Sequence, residues 1–287
     1  MATLDDTTRA QIETLTSKAQ ALLDRNRFDT LDALAEQRHA LLARHLGFTP
    51  IRPVPVVTVV GDSHALFFAG TEGLYKVRYR HVGLFRPEYA TRGVELLPCF
   101  RVFSVGPSTA WQAFEYGSGN RGREKLELLL RKGDLDRRVP LLLSYGEIDC
   151  RCHIPRVVQA GTPMAKAVEN TIHRFLRLPQ YLRAQGFNVA IWGPACVTSR
   201  QTEAGHPLPV VGPYNLRRDI MRTYVQTLEK LAADESFPCA CLAGAHHAWE
   251  EEAPAAHLLN DGFHLSQAVM PMTLARLQQN GVMTFGR

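Results

Sequence analysis

Short apolar segments that alternate with helical patterns are the feature that most constrains the fold of this chain. Five segments are rich in β-branched and aliphatic residues and lack polar alternation: residues 56–60, 100–105, 139–144, 187–192 and 239–242. Helical patterns cover residues 108–115, 123–131, 163–184, 217–233 and 267–279. Unalternating apolar strands are typical of a parallel sheet that is covered on both faces. The sequence therefore predicts an α/β three-layer sandwich with a parallel sheet.

The first fifty residues have a pattern of their own. Residues 8–25 and 30–46 carry apolar side chains at steps of three and four, which indicates two amphipathic helices. Pro50, Pro53 and Pro55 follow, and proline neither continues a helix nor joins an inner strand. We expect an N-terminal helical hairpin over residues 1–50 and a main domain over residues 51–287. The hairpin would pack on that domain or on a second copy of the chain, as in a homo-oligomer.

Composition excludes some classes of function. The net charge is +5, but basic and acidic residues are interleaved, which weakens the electrostatic term that drives nucleic-acid binding. We therefore expect no nucleic-acid partner, although an acidic substrate stays compatible. The chain has no apolar run long enough to span a membrane and no signal-peptide pattern, so we expect no membrane association and a cytoplasmic location. The six cysteines are expected to be reduced thiols rather than disulfide partners or zinc ligands.

The first candidate catalytic motif is Gly61-Asp62-Ser63-His64, directly after the first apolar strand. A hydroxyl at the carboxyl end of a parallel strand lies where ligands bind in sheets of this kind. The Ser63 N–H could also help to hold an oxyanion. The alternative is that Asp62 or Ser63 only caps the following helix, a role that both residue types perform well.

The second motif is Asp261-Gly262-Phe263-His264 near the C-terminus. A hydroxyl needs a general base within hydrogen-bond reach, and a carboxylate orients that base. A carboxylate three residues before an imidazole can face it across one turn of chain. We therefore expect Ser63 to be the nucleophile, His264 the general base and Asp261 the residue that orients His264.

These two motifs resemble those of the SGNH (GDSL-type) hydrolase family, over roughly residues 55–285. In particular they are similar to the SGNH domains attached to membrane-bound sugar O-acyltransferases. The resemblance implies a flavodoxin-like three-layer fold, a Ser63–His264–Asp261 triad, and no metal or organic cofactor. It also implies ester or acyl chemistry, often on carbohydrates. We therefore expect a serine-dependent esterase or an O-acyl (acetyl) transfer enzyme that acts on an acylated carbohydrate or another small ester.

The resemblance assigns further site residues less completely. The glycine that donates to the oxyanion in the family corresponds to Gly106, although a simple strand-ending turn is the alternative. The family's Gly-x-Asn-Asp segment corresponds to residues 146–149, where Ile148 replaces the asparagine, so a side-chain oxyanion donor is missing. Arg151 could supply donors instead, or could form an ion pair with Glu147 or Asp149 that shapes the loop.

Three residues are candidates for substrate binding. Glu147 and Asp149 could hold sugar hydroxyls, and His64 could contact the substrate or line the pocket. We do not expect His64 to be the base, since sequence neighbours rarely face each other on a turn or helix.

Two rival interpretations remain. The glycine spacing of residues 117–122 matches a dinucleotide-binding loop, but the expected strand before the first glycine is missing and a loop beside the active site fits better. The second rival is a non-catalytic carbohydrate-binding or scaffold protein that retains the hydrolase fold, since a fold does not guarantee activity.

Overall fold

The computed structural model describes most of the chain after residue 56. The described residues are 57–70, 76–77, 91–93, 97, 99–195, 197–198, 202, 208–242, 258–259 and 262–283, with eight isolated positions before residue 42. All structural statements below refer to these residues.

A mixed sheet forms the centre of the molecule. Its strands are β1 (Val57–Gly61), β2 (Lys76–Val77), β3 (Thr91–Gly93), β4 (Phe100–Ser104), β5 (Leu141–Ser144), β6 (Val189–Trp192) and β7 (Cys239–Ala240). Their order is β2-β3-β4-β1-β5-β6-β7. The five strands from β4 to β7 in this order are parallel, and β2 and β3 form an antiparallel edge. β1 is hydrogen-bonded on both sides, to β4 and to β5, so its C-terminal end lies in the middle of the sheet.

Helices cover both faces of the sheet. They are α1 (Gly122–Lys132), α2 (Ile154–Gln159), α3 (Met164–Ala184), α4 (Tyr214–Asp234) and α5 (Met270–Gln279). On one face, Leu126 of α1, Phe175 of α3 and Tyr224 of α4 join a buried apolar cluster. On the other face, Phe68 and Leu274 belong to a second cluster. Because both sides of the inner strands are covered, these strands are mostly apolar, as their sequences predicted.

The structure confirms the predicted α/β architecture and the five parallel strands, each within two residues at either end. The predicted helix over residues 108–115 is instead a three-residue 3-10 helix, Ala110–Gln112. Three elements were not predicted: α2 and the short edge strands β2 and β3. No helix among the described residues combines the length and the hydropathy that a membrane span requires.

The predicted N-terminal hairpin lies almost entirely outside the described residues. The eight isolated positions there are helical, and Leu41 is partly buried against the apolar cluster that contains Phe68. The boundary between residues 1–50 and the main domain, and any contact with a second copy, stay predictions.

Candidate active site

Ser63 lies at the end of the central strand. β1 ends at Gly61, and a 3-10 helix runs over Ser63–Ala69. The Asp62 side chain accepts a hydrogen bond from the His64 N–H at 2.8 Å, so Asp62 caps this helix as the capping interpretation anticipated. Ser63 itself is the first residue of the helix, where N–H groups have no partner within the helix. The capping role therefore falls on Asp62, and the Ser63 side chain is left for another contact.

Gly61 permits a close approach between two strands. An added Cβ at this position would lie 2.1 Å from the backbone oxygen of Ser144 on β5, far inside any real contact. The same oxygen accepts a hydrogen bond from the Asp62 N–H at 3.2 Å. Glycine is thus needed here because β5 is close, and this spacing fixes where the chain leaves the sheet just before Ser63.

The structure brings His264 to Ser63. The distance from Ser63 Oγ to His264 Nε2 is 3.0 Å, across 201 residues of sequence. This is within the range at which an imidazole can take a hydroxyl proton. His264 follows Gly262, which has a φ of 86°, and precedes Leu265, which forms an isolated antiparallel bridge with Leu259. Asp261 lies outside the described residues, so its contact with His264 stays a prediction.

His64, Glu147 and Arg151 form a chain of contacts beside this pair. His64 Nε2 lies 2.9 Å from Glu147 Oε2, and Arg151 Nε donates to Glu147 Oε1 at 2.9 Å. Arg151 Nη1 also donates to the Leu208 carbonyl at 2.7 Å. Of the two possibilities considered for Arg151, the ion pair with Glu147 is thus present. Nε and Nη1 are both engaged in these contacts, and the role of Arg151 as an oxyanion donor stays a prediction.

The charges of the His64, Glu147 and Arg151 side chains follow from their burial and from their contacts with one another. Burial alone would raise the pKa of Glu147, but the contacts with His64 and Arg151 outweigh it and lower the pKa to about 2. Burial lowers the pKa of His64, although Glu147 opposes that change. Glu147 is therefore ionised at neutral pH, with the permanently charged Arg151 as its counterion. His64 Nε2 thus lies 2.9 Å from an ionised carboxylate, in a close electrostatic contact.

Asp149 has a different environment from the one that sequence analysis anticipated. Its carboxylate accepts hydrogen bonds from the backbone N–H groups of Ala110, at 2.5 Å, and Trp111, at 3.1 Å, and the residue is completely buried. Burial raises its pKa to about 7, although these two hydrogen bonds act in the opposite direction. Asp149 begins a π-helical turn over Asp149–His153 and holds the Ala110–Gln112 helix against it. With both oxygens occupied by backbone groups, Asp149 is not available to sugar hydroxyls.

Gly106 follows β4 on the other side of Ser63. It has a φ of 85°, and its N–H donates to Ser104 Oγ at 3.2 Å, a contact at the long end of the normal range. The preceding carbonyl, that of Val105, accepts from Asn120 Nδ2 at 3.0 Å and from Lys125 Nζ at 2.8 Å. The glycine-rich segment that contains Asn120 therefore braces the Gly106 turn. No strand precedes this segment, since residues 113–121 form turns, which disagrees with a dinucleotide-binding loop.

A small cleft opens beside Asp62 and His64. Glu147, Trp192 and Phe263 are among the residues that line it. Asp62 is completely buried, and burial raises its pKa well above the usual range, despite the hydrogen bond from the His64 N–H. The cleft thus combines aromatic walls with two carboxyl groups, of which Glu147 is ionised and Asp62 has a raised pKa. Ile148, which replaces the family asparagine, is buried and contributes no donor.

Sequence reasoning missed the contact between His64 and Glu147. It assigned both residues to substrate binding, each separately, because 83 positions separate them in sequence. Among the described residues, no three histidine, cysteine, aspartate or glutamate side chains are arranged to hold a metal ion. Five of the cysteines, Cys99, Cys150, Cys152, Cys239 and Cys241, are free thiols.

Comparison with known proteins yields fold similarities alone. The chain matches no protein-family model and no curated protein. Solved structures with a similar fold include phospholipase A1 from Streptomyces albidoflavus NA297, which is 13% identical with a TM-score of 0.40. The match covers 78% of this chain and 98% of the phospholipase chain. The acetyl xylan esterase AlAXEase is 13% identical with a TM-score of 0.42, covering 79% of this chain and 100% of its own. A catalytic mutant of Axe2, an acetylxylan esterase from Geobacillus stearothermophilus, is 15% identical with a TM-score of 0.44, covering 80% and 95%. Similarities of this size do not establish a shared activity.

Proposed function

We propose that this chain is a serine-dependent ester hydrolase or acyl transfer enzyme. The observation that carries the proposal is the 3.0 Å distance between Ser63 Oγ and His264 Nε2 at the carboxyl end of the central strand. A serine hydroxyl is a weak nucleophile at its own pKa, and a neighbouring imidazole is the usual means of activating it. A purely structural serine would not require such a partner.

The reaction follows from this pair. His264 takes the proton of Ser63 as Oγ attacks the ester carbonyl, and the carbonyl oxygen becomes an oxyanion. When the tetrahedral intermediate collapses, the bond to the alcohol breaks and His264 returns the proton to the departing oxygen. Water or a sugar hydroxyl, deprotonated by His264, then attacks the acyl-serine. The bond between the acyl group and Ser63 Oγ breaks, and His264 returns the proton to Oγ. The first acceptor gives an esterase and the second a transferase. Asp261 would orient His264 throughout.

Backbone N–H groups would stabilise the oxyanion. Ser63 supplies one from the first turn of its helix, and Gly106 supplies another if the long contact with Ser104 Oγ is exchanged for the oxyanion. Losing one oxyanion donor typically costs about 100- to 1000-fold in turnover. Because Ile148 stands where the family has asparagine, we expect turnover to be low by the standard of that family.

The proposed substrate is an acylated carbohydrate or another small ester. The resemblance of both catalytic motifs to the SGNH domains of sugar O-acyltransferases favours a carbohydrate. The cleft beside Asp62 is consistent with a polar ligand, because His64 and Glu147 line it.

The decisive experiment is treatment with a fluorophosphonate, followed by intact-mass analysis and peptide mapping. We expect one adduct, on Ser63, because phosphonylation requires an activated serine. Ser63→Ala should abolish both the adduct and the hydrolysis of 4-nitrophenyl acetate while the unfolding temperature stays nearly unchanged. Ser236→Ala is the matched control, since this exposed serine lies away from the site and its loss should change neither. If the wild-type chain carries no adduct on Ser63, the non-catalytic binding protein becomes the better hypothesis.

A further inference from the structure

His264 lies in a segment that side-chain contacts hold in place. Residues 262–264 form bends rather than a helix or strand, and the next residue makes a single bridge. A general base must nevertheless stay within about 0.5 Å of its working position for proton transfer to be efficient. The contacts made by the His264 ring are therefore the means of holding it.

The ring of His64 packs against that of His264. The two ring centroids are 4.5 Å apart in a tilted arrangement, with an interplanar angle of 32°. His64 is itself fixed at two points: its N–H donates to Asp62, and its Nε2 contacts Glu147. The rotation of the His264 ring away from Ser63 is thus obstructed by a side chain that cannot easily move.

A second contact joins these side chains to the segment that carries His264. Arg151, which is paired with Glu147, lies with its guanidinium 5.0 Å from the centroid of the Phe263 ring. Phe263 directly precedes His264, so the two neighbouring residues are held by the two ends of one chain of side chains, His64–Glu147–Arg151. All three of these side chains are mostly buried, which favours fixed positions over solvated ones.

The charges around the His64 ring suit this contact. The charged and titratable groups that face His64 are Glu147, Arg151, Asp62 and His264. Burial lowers the pKa of His64, and the Glu147 carboxylate offsets the charge of Arg151. A neutral ring against His264 does not oppose the imidazolium that forms when His264 takes the proton of Ser63, whereas a charged ring would.

We propose that His64 is a positioning residue, whose ring holds the His264 imidazole in line with Ser63 while Glu147 and Arg151 fix His64. This inference rests on the proposed hydrolase function, and it assigns His64 to the reaction rather than to substrate binding. In this proposal, His64 acts through His264 and exchanges no proton with the substrate.

Three substitutions separate the ring contact from the contact with Glu147. His64→Phe keeps a ring and removes the donor, His64→Gln keeps a donor and removes the ring, and His64→Ala removes both. The N–H contact to Asp62 is backbone and persists in all three. His153→Ala is the control, because His153 also stacks on an aromatic ring, that of Trp111 at 4.9 Å, without contacting Ser63 or His264. Each variant is measured for unfolding temperature, for kcat and KM on 4-nitrophenyl acetate, and for the rate of Ser63 phosphonylation.

We expect His64→Gln and His64→Ala to lose about 10- to 100-fold in kcat and in phosphonylation rate, with KM changed by less than about threefold. His64→Phe should be faster than His64→Ala and slower than the wild type, because it keeps a ring against His264 and loses the contact with Glu147 that fixes this ring. His153→Ala should match the wild type. Wild-type activity in His64→Ala, or a His64→Phe variant as slow as His64→Ala, would overturn the positioning role alone. Absence of phosphonylation in the wild-type chain would overturn the hydrolase proposal and this inference together.

Discussion

Gly61→Ala should displace the Ser63 nucleophile while leaving every catalytic side chain in place in the sequence. The new Cβ would lie 2.1 Å from the Ser144 backbone oxygen, and real Cβ contacts are essentially never shorter than 3.0 Å. The ends of β1 and β5 must therefore move apart by about 1 Å, since the Ser144 oxygen belongs to the backbone and cannot rotate away. Ser63 lies two residues beyond this point, so it moves relative to His264.

The expected effect of Gly61→Ala has two parts, a loss of catalytic rate and a loss of folding free energy. A misplacement of about 1 Å costs on the order of 100-fold in rate, equivalent to about 2.7 kcal/mol in transition-state stabilisation. Overpacking of this kind costs about 1–3 kcal/mol of folding free energy, or roughly 2–12 °C in unfolding temperature for a domain of this size. The main effect should thus be on activity in a chain that still folds at 25 °C.

The assay compares kcat/KM on 4-nitrophenyl acetate with the unfolding temperature. Gly119→Ala is the matched control, because nothing lies within 4 Å of an added Cβ there and its φ is not positive. We expect the control to behave as the wild type in both measurements. A Gly61→Ala variant with activity within about threefold of the wild type would show that the spacing of β1 and β5 does not position Ser63.

Two further predictions concern the neighbouring turns. Gly106→Ala places a Cβ 2.8 Å from Asn120 Oδ1 at a φ of 85°, so kcat should fall about 10- to 100-fold, as for a displaced oxyanion donor. Gly117→Ala is the control, because its φ is 70° and no atom lies near the added Cβ. It should cost only about 1 kcal/mol of folding free energy. Equal kcat in the two variants would contradict a role for the Gly106 N–H. Asp149 has a pKa raised from 3.8 to about 7, so its contribution to stability is present below pH 4 and is lost as the pH rises through 7. Urea unfolding should therefore show the wild type losing up to about 4 kcal/mol relative to Asp149→Asn between pH 4 and 8, and a difference that does not vary with pH would contradict the assignment.

The sequence was sufficient for the inner sheet because burial on both faces leaves a local signature. β1, β4, β5 and β6 are mostly apolar without polar alternation, and this pattern gives their positions. The edge strands β2 and β3 have two and three residues, too few for any periodicity. The helix expected over residues 108–115 fails for a different reason: Asp149, 39 residues away from Ala110, takes the backbone N–H groups there and fixes a shorter turn.

For the candidate site too, the sequence was sufficient for some features and not for others. The residue types and order of Ser63 and His264 were readable as motifs, and so was the loss of a donor at Ile148. The link between His64 and Glu147 was not, since it depends on how the end of β5 lies beside the end of β1. The rule that sequence neighbours do not face each other argued against His64 as the base for Ser63, and that stays a prediction. It gave no information about a third residue that His64 could contact.

The nucleophile and its base belong to parts of the fold with unequal anchorage. Ser63 follows a strand with ladder hydrogen bonds on both sides. The segment of His264 has, among the described residues, one bridge between Leu259 and Leu265 and one further backbone hydrogen bond, from the Ser266 N–H to the Leu258 carbonyl. Opening a segment of the second kind costs less free energy than dismantling the sheet, because fewer interactions are broken. Such an opening would switch the chemistry off reversibly while circular dichroism still reported a native sheet, so catalytic competence and global foldedness need not be lost together in this molecule.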